Sequence, residues 1–320
     1  MTNANAEIFP IIVPVNNHLQ SLNFYLLKTE NSLMLIDAGM NIDDCWNALH
    51  NTLTHNGLEL KDITHIIVTH HHVDHIGLIN RIVNAHPVPV YAHRLSIPRL
   101  TRDVNYLQKR IEFFQNLYAE MGCKDAGKRQ VEYLKKAIKN NKNQALECNI
   151  HNIEELPVHP FEVIEIPGHA VDQIALYNPQ QRVLIAGDLL IEHISSNALI
   201  EPDGNGNRIK SLLIHEASLK KVQQLDVKII YPGHGKIIDK PYDLIKKRIA
   251  GIDAKANKLL DLLKDRRLTA SELAQQYYKE MYKKQFALVM SEVIGHLDYL
   301  EEKGKIGKEF EGGVWKYFTV

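Results

Sequence analysis

Cysteine is scarce in this chain, with only three among 320 residues. Cys45, Cys123 and Cys148 lie far apart, and no pair has the C-x-x-C spacing of a thiolate metal site. A disulfide framework is excluded as well, because such frameworks need many cysteines in a short secreted chain. The cysteine content fits a reducing compartment, and we expect a cytoplasmic protein.

The sequence also lacks a charge imbalance and a long apolar run. Lys plus Arg and Asp plus Glu number 38 each, so no overall field draws the chain to nucleic acid or to an anionic membrane. No apolar stretch approaches the ~20 residues of a membrane-spanning helix, and the start, MTNANAEIFP, has no signal-peptide pattern. We expect no membrane partner, and either one large domain or a large domain with a small one.

Histidine, in contrast, is abundant, with 17 residues. The stretch THHHVDHIG (69–77) fits the pattern H-x-H-x-D-H, which chance would produce on the order of 10⁻³ times in such a chain. It lies between a predicted buried strand (62–70) and a predicted helix (76–86), and strand ends of α/β layers are where ligand sites form. We interpret the stretch as half of a metal site rather than as a polar turn. Its candidate ligands are His70, His72, Asp74 and His75.

Three further polar residues end predicted strands later in the chain. PGHA contains His169, AGD contains Asp188, and PGHG contains His234. A glycine before a ligand lets the backbone turn and lets a metal ion approach closely. Five His and two Asp thus lie at predicted strand ends, enough for two metal ions that share one carboxylate. His71 is interpreted as a spacer. Other histidines are interpreted as surface or core residues: His18, His65, His193 and His215.

Predicted strands and helices alternate along most of the first 240 residues, which indicates an α/β layered domain. Residues 96–142 break this order with two predicted helices, separated by MGCKDAG (121–127). The first helix has an apolar stripe at helical spacing: Leu107, Ile111, Phe114, Tyr118 and Met121. Residues 98–150 contain 11 Lys or Arg and 6 Asp or Glu. The segment is either a helical hairpin with a solvated basic face or a lid over a substrate.

The tail, from about residue 266, has a different pattern. TASE (269–272) is a capping box that opens a helix, a second helix covers 286–303, and the last residues form a hairpin that turns at EGG. Helices and a two-stranded wing resemble a winged-helix domain. Residues 269–320 contain 7 Lys or Arg and 8 Asp or Glu, whereas phosphate binding needs a basic face. We favour a structural or dimerisation role over nucleic-acid binding, and we keep a homodimer open.

The motifs THHHVDHIG, PGHA, AGD and PGHG, preceded by LIDAG (35–39), resemble those of the metallo-β-lactamase-fold hydrolase superfamily. The branch with glyoxalase II, lactonases and a lactamase-like endoribonuclease is the most similar one, and that endoribonuclease carries a similar C-terminal module. The resemblance covers about residues 8–240 and implies an αββα four-layer sandwich with the metals at one edge. We predict a catalytic domain over 1–240, with a helical insert at about 96–142. Residues 241–320 would form a linker helix and a small winged-helix-like domain.

The same resemblance implies a role for each motif residue. The first metal ion would be bound by His70, His72 and His169. The second would be bound by Asp74, His75 and His234, with Asp188 as a bridge. Asp37 would be the carboxylate behind the ligands that steadies the site, and Asp74 would be the catalytic residue that relays a proton. We expect two divalent ions, zinc first, with iron or manganese as alternatives.

The implied activity is metal-dependent hydrolysis. Zinc β-lactamases of the commonest subclass have Cys where this chain has Asp188, so we do not expect a dedicated β-lactamase. We expect a hydroxide that bridges two metal ions to attack a small-molecule thioester, lactone or ester. The alternative is a metal-dependent endoribonuclease that grips RNA through the basic insert. A non-catalytic binding module and a one-iron sulfur dioxygenase are the remaining options.

Overall fold

The structure is a computed structural model that describes residues 6–320. The first five residues, part of the stretch without a signal-peptide pattern, lie outside the described residues. The chain divides into two units. The first consists of the described residues up to Arg102, Gln144–Ser196 and Ser218–Ile245. The second consists of Asp103–Asn143, Asn197–Ala217 and Lys246–Val320.

Eleven helices, counted over residues 6–320, accompany the sheets. They are α1 Asp43–His55, α2 Val73–Ile76, α3 Ile79–Ala85, α4 Ile97–Leu100, α5 Val104–Glu120, α6 Lys124–Asn140, α7 Ser211–Gln223, α8 Pro241–Leu263, α9 Ala270–Tyr278, α10 Glu280–Lys284 and α11 Phe286–Glu302. None of these helices is long and apolar enough to cross a membrane.

Six strands form the larger sheet of the first unit. They are β1 Glu7–Pro14, β2 Ser21–Lys28, β3 Leu33–Ile36, β4 His65–Ile67, β5 Val90–Ala92 and β6 Ile150–Asn152, side by side in this order. β1, β2 and β3 pair antiparallel, and β3 to β6 pair parallel. β1 is a strand that the sequence pattern does not predict. This strand contains Pro10 and Pro14, which an edge strand tolerates because it has one unpaired side.

β2 is apolar along most of its length because both of its faces are covered. Phe24 and Leu26 share a core with the buried side of α1, whereas Tyr25 and Leu27 share a core with the second sheet. Successive side chains of a strand point to opposite faces. One uninterrupted apolar run therefore contributes to both the helix layer and the layer between the sheets.

Four strands form the second sheet of the same unit. They are β7 Glu162–Glu165, β8 Ile174–Asn178, β9 Val183–Ile185 and β10 Ile229–Tyr231, in the spatial order β10-β9-β8-β7. Ile174, Leu176 and Ile185 lie in the core that β2 and β3 also enter. Ser218, in the C-terminal half of α7, donates to Pro167 O just beyond β7. The predicted αββα sandwich is confirmed.

The segment predicted as an insert of the catalytic domain groups differently in the structure. Residues 103–143 belong to the second unit, together with 246–320. Phe114 and Tyr118 of α5 are buried in one core with Phe286 of α11. Because these rings are part of that core, they offer no basis for a lid that covers a substrate. An apolar stripe predicts that one face of a helix is buried, but it does not predict which core that face packs into.

The break between α5 and α6 is shorter than predicted. It covers residues 121–123 rather than the whole of MGCKDAG, and Gly127 lies inside α6. A Cβ on Gly127 would lie 2.7 Å from the Cβ of Tyr118. The glycine is therefore present for the close approach of two helices, and not as a helix breaker.

The C-terminal tail has the elements that the sequence predicts. Thr269 and Glu272 form the capping box at the start of α9, with Thr269 N donating to Glu272 Oε2 at 2.8 Å. After α11, the strands β11 Ile306–Glu311 and β12 Val314–Thr319 pair antiparallel around two glycines with positive φ. The short helix α10 is an addition that the sequence analysis did not predict.

The glycine that ends THHHVDHIG is required by space. Gly77 has ordinary helical dihedral angles, but a Cβ there would lie 2.2 Å from Asn41 N and 2.4 Å from Met40 C. These are backbone atoms, which cannot move aside as a flexible side chain can. We expect Gly77→Ala to lower the free energy of unfolding by roughly 1–3 kcal/mol, as measured by urea denaturation.

The matched control is Gly251→Ala in α8, where a Cβ would meet nothing within 4 Å. Alanine in an exposed helix interior should raise the free energy of unfolding by about 0.5–1 kcal/mol. Effects of the same sign in the two variants would contradict the spatial role of Gly77.

Candidate metal centre

The loop that carries H-x-H-x-D-H is attached to the turn after β3. Ala38 N donates to His75 O at 2.7 Å, and Gly77 N donates to Gly39 O at 2.7 Å. In that turn Asp37 has a positive φ of 60°, a conformation that Asp tolerates better than most residues. The two motifs LIDAG and THHHVDHIG, distant in the sequence, thus form one backbone unit.

The carboxylate of Asp37 supports this unit from behind. It accepts from Thr69 N and Thr69 Oγ1, both at 2.7 Å, and from His75 Nδ1 at 2.8 Å. Since His75 uses Nδ1 as a donor, its Nε2 points away from Asp37, and Asp188 Oδ1 lies 3.4 Å from it. Asp37 therefore has the contacts that its predicted supporting role requires.

Three histidines from two loops meet in what we call the first ligand group, His70, His72 and His169. His72 Nδ1 lies 2.9 Å from His70 Nε2 and 3.0 Å from His169 Nε2. Metal–nitrogen bonds of about 2 Å place neighbouring ligand atoms about 3 Å apart. The group has the spacing of ligands around one ion.

Asp74, His75 and His234 form the second ligand group, whose ligand atoms all lie within 4.8 Å of one another. Asp188 lies between the two groups. Its Oδ2 is 3.2 Å from His234 Nε2 and 3.5 Å from His169 Nε2, and its Oδ1 faces His75. One carboxylate thus faces residues of both ligand groups.

Polar residues of β2 hold the PGHG loop in place. Ser21 O accepts from His234 Nδ1 at 2.8 Å, and Ser21 Oγ accepts from Gly235 N at 2.9 Å. Asn23 donates through Nδ2 to Pro232 O at 3.1 Å and to Gly235 O at 2.8 Å. These bonds explain why a buried apolar strand contains Ser and Asn, and they direct His234 Nε2 toward Asp188.

Two glycines allow the ligand loops to come together. A Cβ on Gly233 would lie 2.2 Å from Asp188 Oδ1 and 2.6 Å from His75 Cε1. A Cβ on Gly187, which has φ of +47°, would lie 2.8 Å from Thr69 Oγ1. Gly233 and Gly187, which precede His234 and Asp188, are therefore needed because the ligand loops approach each other closely, as well as for the turn of the backbone.

The pKa values of four candidate ligands are shifted in opposite directions. Burial lowers the pKa of His70 and of His72 well below the usual value, so both rings are neutral. Burial also opposes charge on His75 and His234, but neighbouring carboxylates outweigh it. Asp188 and Asp37 raise the pKa of His75 well above its usual value, and Asp188 and Asp74 raise that of His234 to about 9. The protons on these two rings occupy the place that a divalent ion would take.

Three buried atoms of the centre make no hydrogen bond within residues 6–320. They are His75 Nε2, His234 Nε2 and Asp188 Oδ1. They face one another or Asp188 Oδ2 at 3.2–3.4 Å, but without hydrogen-bond geometry, and buried polar atoms without a hydrogen bond are rare. All three are imidazole nitrogens or carboxylate oxygens, the ligand types of divalent metal ions. The donor set therefore fits a metal centre.

The structure brings all seven predicted ligands together, with Asp37 behind them. It also adds a residue that the sequence analysis missed. Asp172 binds His71, which was interpreted as a spacer, through a 2.6 Å contact between Oδ1 and Nδ1. Its position three residues after His169 was the available signal. The groups of three possible ligands found over residues 6–320 contain none of the histidines left out: His18, His65, His193 and His215.

Comparison with known proteins gives the family. The family model of the metallo-β-lactamase superfamily matches residues 20–234, a range that includes Asp37 and all seven candidate ligands. The chain belongs to the metallo-β-lactamase superfamily, and it is a metal-dependent hydrolase of that superfamily.

Individual relatives cover nearly the whole chain. The probable metallo-hydrolase YqjP of Bacillus subtilis (strain 168) is 32% identical over 322 residues, and the match covers 98% of each chain. The crystal structure of the metallo-β-lactamase family protein TTHA1429 from Thermus thermophilus has a TM-score of 0.74 and 25% identity, with 98% of each chain covered. A more distant relative is the atrochrysone carboxyl ACP thioesterase of Aspergillus terreus. It is 22% identical over 240 residues, which are 75% of this chain and 56% of that protein.

We expect the purified protein to contain divalent metal that the His70→Ala/His72→Ala double variant fails to retain, because two of three ligands of the first group are then missing. Metal content is measured by plasma mass spectrometry. The control is the His18→Ala/His65→Ala double variant, since neither residue contributes to a ligand group. Full metal content in the first variant, or an equal loss in the control, would contradict the assignment.

Proposed function

We propose that the protein is a dinuclear metal-dependent hydrolase that acts on a small-molecule thioester, ester or lactone. The observation that carries the proposal is the position of Asp188 between the two ligand groups. Its Oδ1 faces His75, and its Oδ2 faces His169 and His234. Two ions would give every buried ligand atom a partner, whereas a single ion would leave one group unused.

Each ligand group would hold one ion, and Asp188 would contact both. When bound, such a pair lowers the pKa of a water molecule toward ~7 and polarises a substrate oxygen. The chain orients the ligands, with Asp37 fixing His75 and Ser21 fixing His234. We propose zinc because a set of imidazole nitrogens and carboxylate oxygens suits it, although iron and manganese accept the same atoms.

Burial defines the side from which a substrate would approach. Four candidate ligands are buried, namely His70, His75, Asp188 and His234. The other three are half-buried, namely His72, Asp74 and His169. The half-buried side chains mark the open side of the centre, so a scissile bond would lie next to them.

Asp74 is the only carboxylate among the candidate ligands on the open side. Burial tends to raise its pKa, but the contact with His234 and the charge on His75 hold that pKa well below its usual value. The side chain is therefore anionic at neutral pH and can accept a hydrogen bond from the attacking water. A weak base is sufficient there, because bound metal ions would lower the pKa of that water. We propose that Asp74 takes a proton from the attacking water and passes it to the leaving group.

The Asp74→Asn variant keeps the shape of the side chain and removes its basicity. We expect kcat to fall by about 10²–10⁴-fold, while metal content is kept in part because an amide oxygen remains. Hydrolysis of an activated ester and metal content are measured on the same sample. Asp43→Asn, on an exposed carboxylate of α1, is the control. Wild-type kcat in Asp74→Asn would rule out the proton-relay role.

Exposed apolar side chains lie within and next to the ligand motif, and they support an acyl substrate. Val73, between the candidate ligands His72 and Asp74, is 50% exposed, and Met40 is 38% exposed. The end of the same motif, Gly77, packs closely against the backbone of Met40. The thioesterase relative from Aspergillus terreus agrees with a substrate that carries an acyl group.

We expect kcat/KM for a series of acyl thioesters and esters to rise with chain length, by up to about fourfold for each buried methylene. Val73→Ser should weaken this dependence. Phe310→Ser, which changes an exposed aromatic residue of the C-terminal hairpin, should leave it unchanged. No hydrolysis of any ester, thioester or lactone, together with salt-sensitive cleavage of RNA, would overturn the proposal in favour of the endoribonuclease.

Nucleic-acid binding by the C-terminal tail has less support than a structural role. A helix that docks in a nucleic-acid groove must expose a basic face, but 12 of the 17 residues of α11 are buried. Its Glu292 and Asp298 pair with Lys255 and Arg208. We therefore propose that the tail is structural or mediates dimerisation.

The cytoplasm stays our proposed location, which three free cysteines in the described chain support.

A further inference from the structure

Asp172 is a buried carboxylate that belongs to neither ligand group. It lies in PGHAVDQ, three residues after His169, and is 1% exposed. Its oxygens bind one residue of the other ligand loop. Oδ2 accepts from His71 N at 2.9 Å, and Oδ1 accepts from His71 Nδ1 at 2.6 Å. Asp172, three residues after the candidate ligand His169, therefore holds both the backbone and the ring of His71.

Two further side chains complete the arrangement. Ser96 Oγ donates to Asp172 Oδ2 at 2.6 Å, and an Arg99 guanidinium nitrogen lies 3.0 Å from His71 Nε2. Arginine is only a donor, so His71 Nε2 is the acceptor and Nδ1 carries the hydrogen. Both ring nitrogens of His71 are thus engaged away from the metal centre, which explains why this histidine is not a ligand.

These hydrogen bonds matter for metal binding because of the place of His71 in the sequence. His71 is the residue between the ligands His70 and His72, so fixing its backbone and its ring fixes the chain between them. The same two loops are joined again where Ile174 N donates to Thr69 O at 2.9 Å. Links on both sides therefore determine how far His72 lies from His169.

We infer that Asp172, Ser96 and His71 form a clasp that positions the first ligand group, and that this clasp sets the affinity of that group for its metal ion. The clasp residues are positioning residues, since they act through His70, His72 and His169. The inference rests on the proposed metal-dependent function. It goes further by assigning a role in metal binding to a histidine that is not a ligand.

Loss of the Asp172 charge would leave several donors in a buried space without a good acceptor. These are the backbone and ring N–H groups of His71 and the hydroxyl of Ser96. The amide that replaces the carboxylate in an Asp172→Asn variant would also set a donor against one of them. The loop that carries His71 would shift to recover hydrogen bonds. The ligand nitrogens of His70, His72 and His169 would then no longer have the spacing that one metal ion needs.

The test compares zinc affinity in wild type and Asp172→Asn by competition with a chromophoric chelator. We expect the tighter-bound zinc to weaken by about 10–100-fold, as is usual when a residue that supports a ligand is changed. The visible spectrum of the cobalt-substituted protein should change as well, because it reports ligand geometry directly. Ser96→Ala, which removes one of three bonds to the carboxylate, should have a smaller effect in the same direction.

The matched control is Asp298→Asn, which also removes a buried carboxylate, one that pairs with Arg208 in the second unit. We expect lower stability from this control but wild-type zinc affinity. A second variant, His71→Ala, tests the connection. Its effect should nearly vanish in the Asp172→Asn background, since the two residues act through one bond network.

The outcomes separate the clasp from the function on which it rests. Unchanged zinc affinity and an unchanged cobalt spectrum in Asp172→Asn would overturn the clasp and leave the hydrolase proposal intact. An equal loss in Asp298→Asn would trace the effect to general destabilisation and would also overturn it. A wild-type protein that binds neither zinc nor cobalt would overturn the metal function itself, and the clasp with it.

Discussion

The burial of the Asp188 carboxylate is the constraint on which the rest of the centre depends. A buried charge without compensation costs several kcal/mol. Ring nitrogens of His75, His169 and His234 lie 3.2–3.5 Å from its oxygens, and each comes from a different loop. To meet one carboxylate, these loops must approach so closely that Gly233 has no room for a side chain. Positive charge at this point, from protons or from metal ions, is thus required by the fold.

Behind the candidate ligands lies a second set of contacts with a different role. Asp37 holds His75, the carbonyl of Ser21 holds His234, and Asp172 holds His71. Each contact uses Nδ1 of an imidazole as the donor. In His75 and His234 this leaves Nε2 directed toward Asp188, whereas in His71 it turns the ring away. The same bond therefore makes two histidines available as ligands and removes a third.

The second unit follows ordinary packing rules. Aromatic residues of α5 and most of the buried residues of α11 pack into one core. Neither helix therefore presents the surface that a lid or a groove-reading helix needs. Helical periodicity predicted both helices well. It left open what they would face, because a stripe of apolar residues states only that a face is buried. The role of residues 103–143 could therefore not be predicted from their pattern.

The sequence by itself determined which residue types occupy the strand ends and in what order. Short apolar runs, Gly and Pro punctuation and the H-x-H-x-D-H motif are local patterns, and local patterns suffice to predict His70, His72, Asp74, His75, His169, Asp188 and His234 as one set. Only the tertiary structure decided which side chain supports which. Asp172 and His71 are 101 positions apart, and His234 and Ser21 are 213 apart. The packing of the two sheets brings such pairs together. The spacing of residues along the chain does not predict that packing.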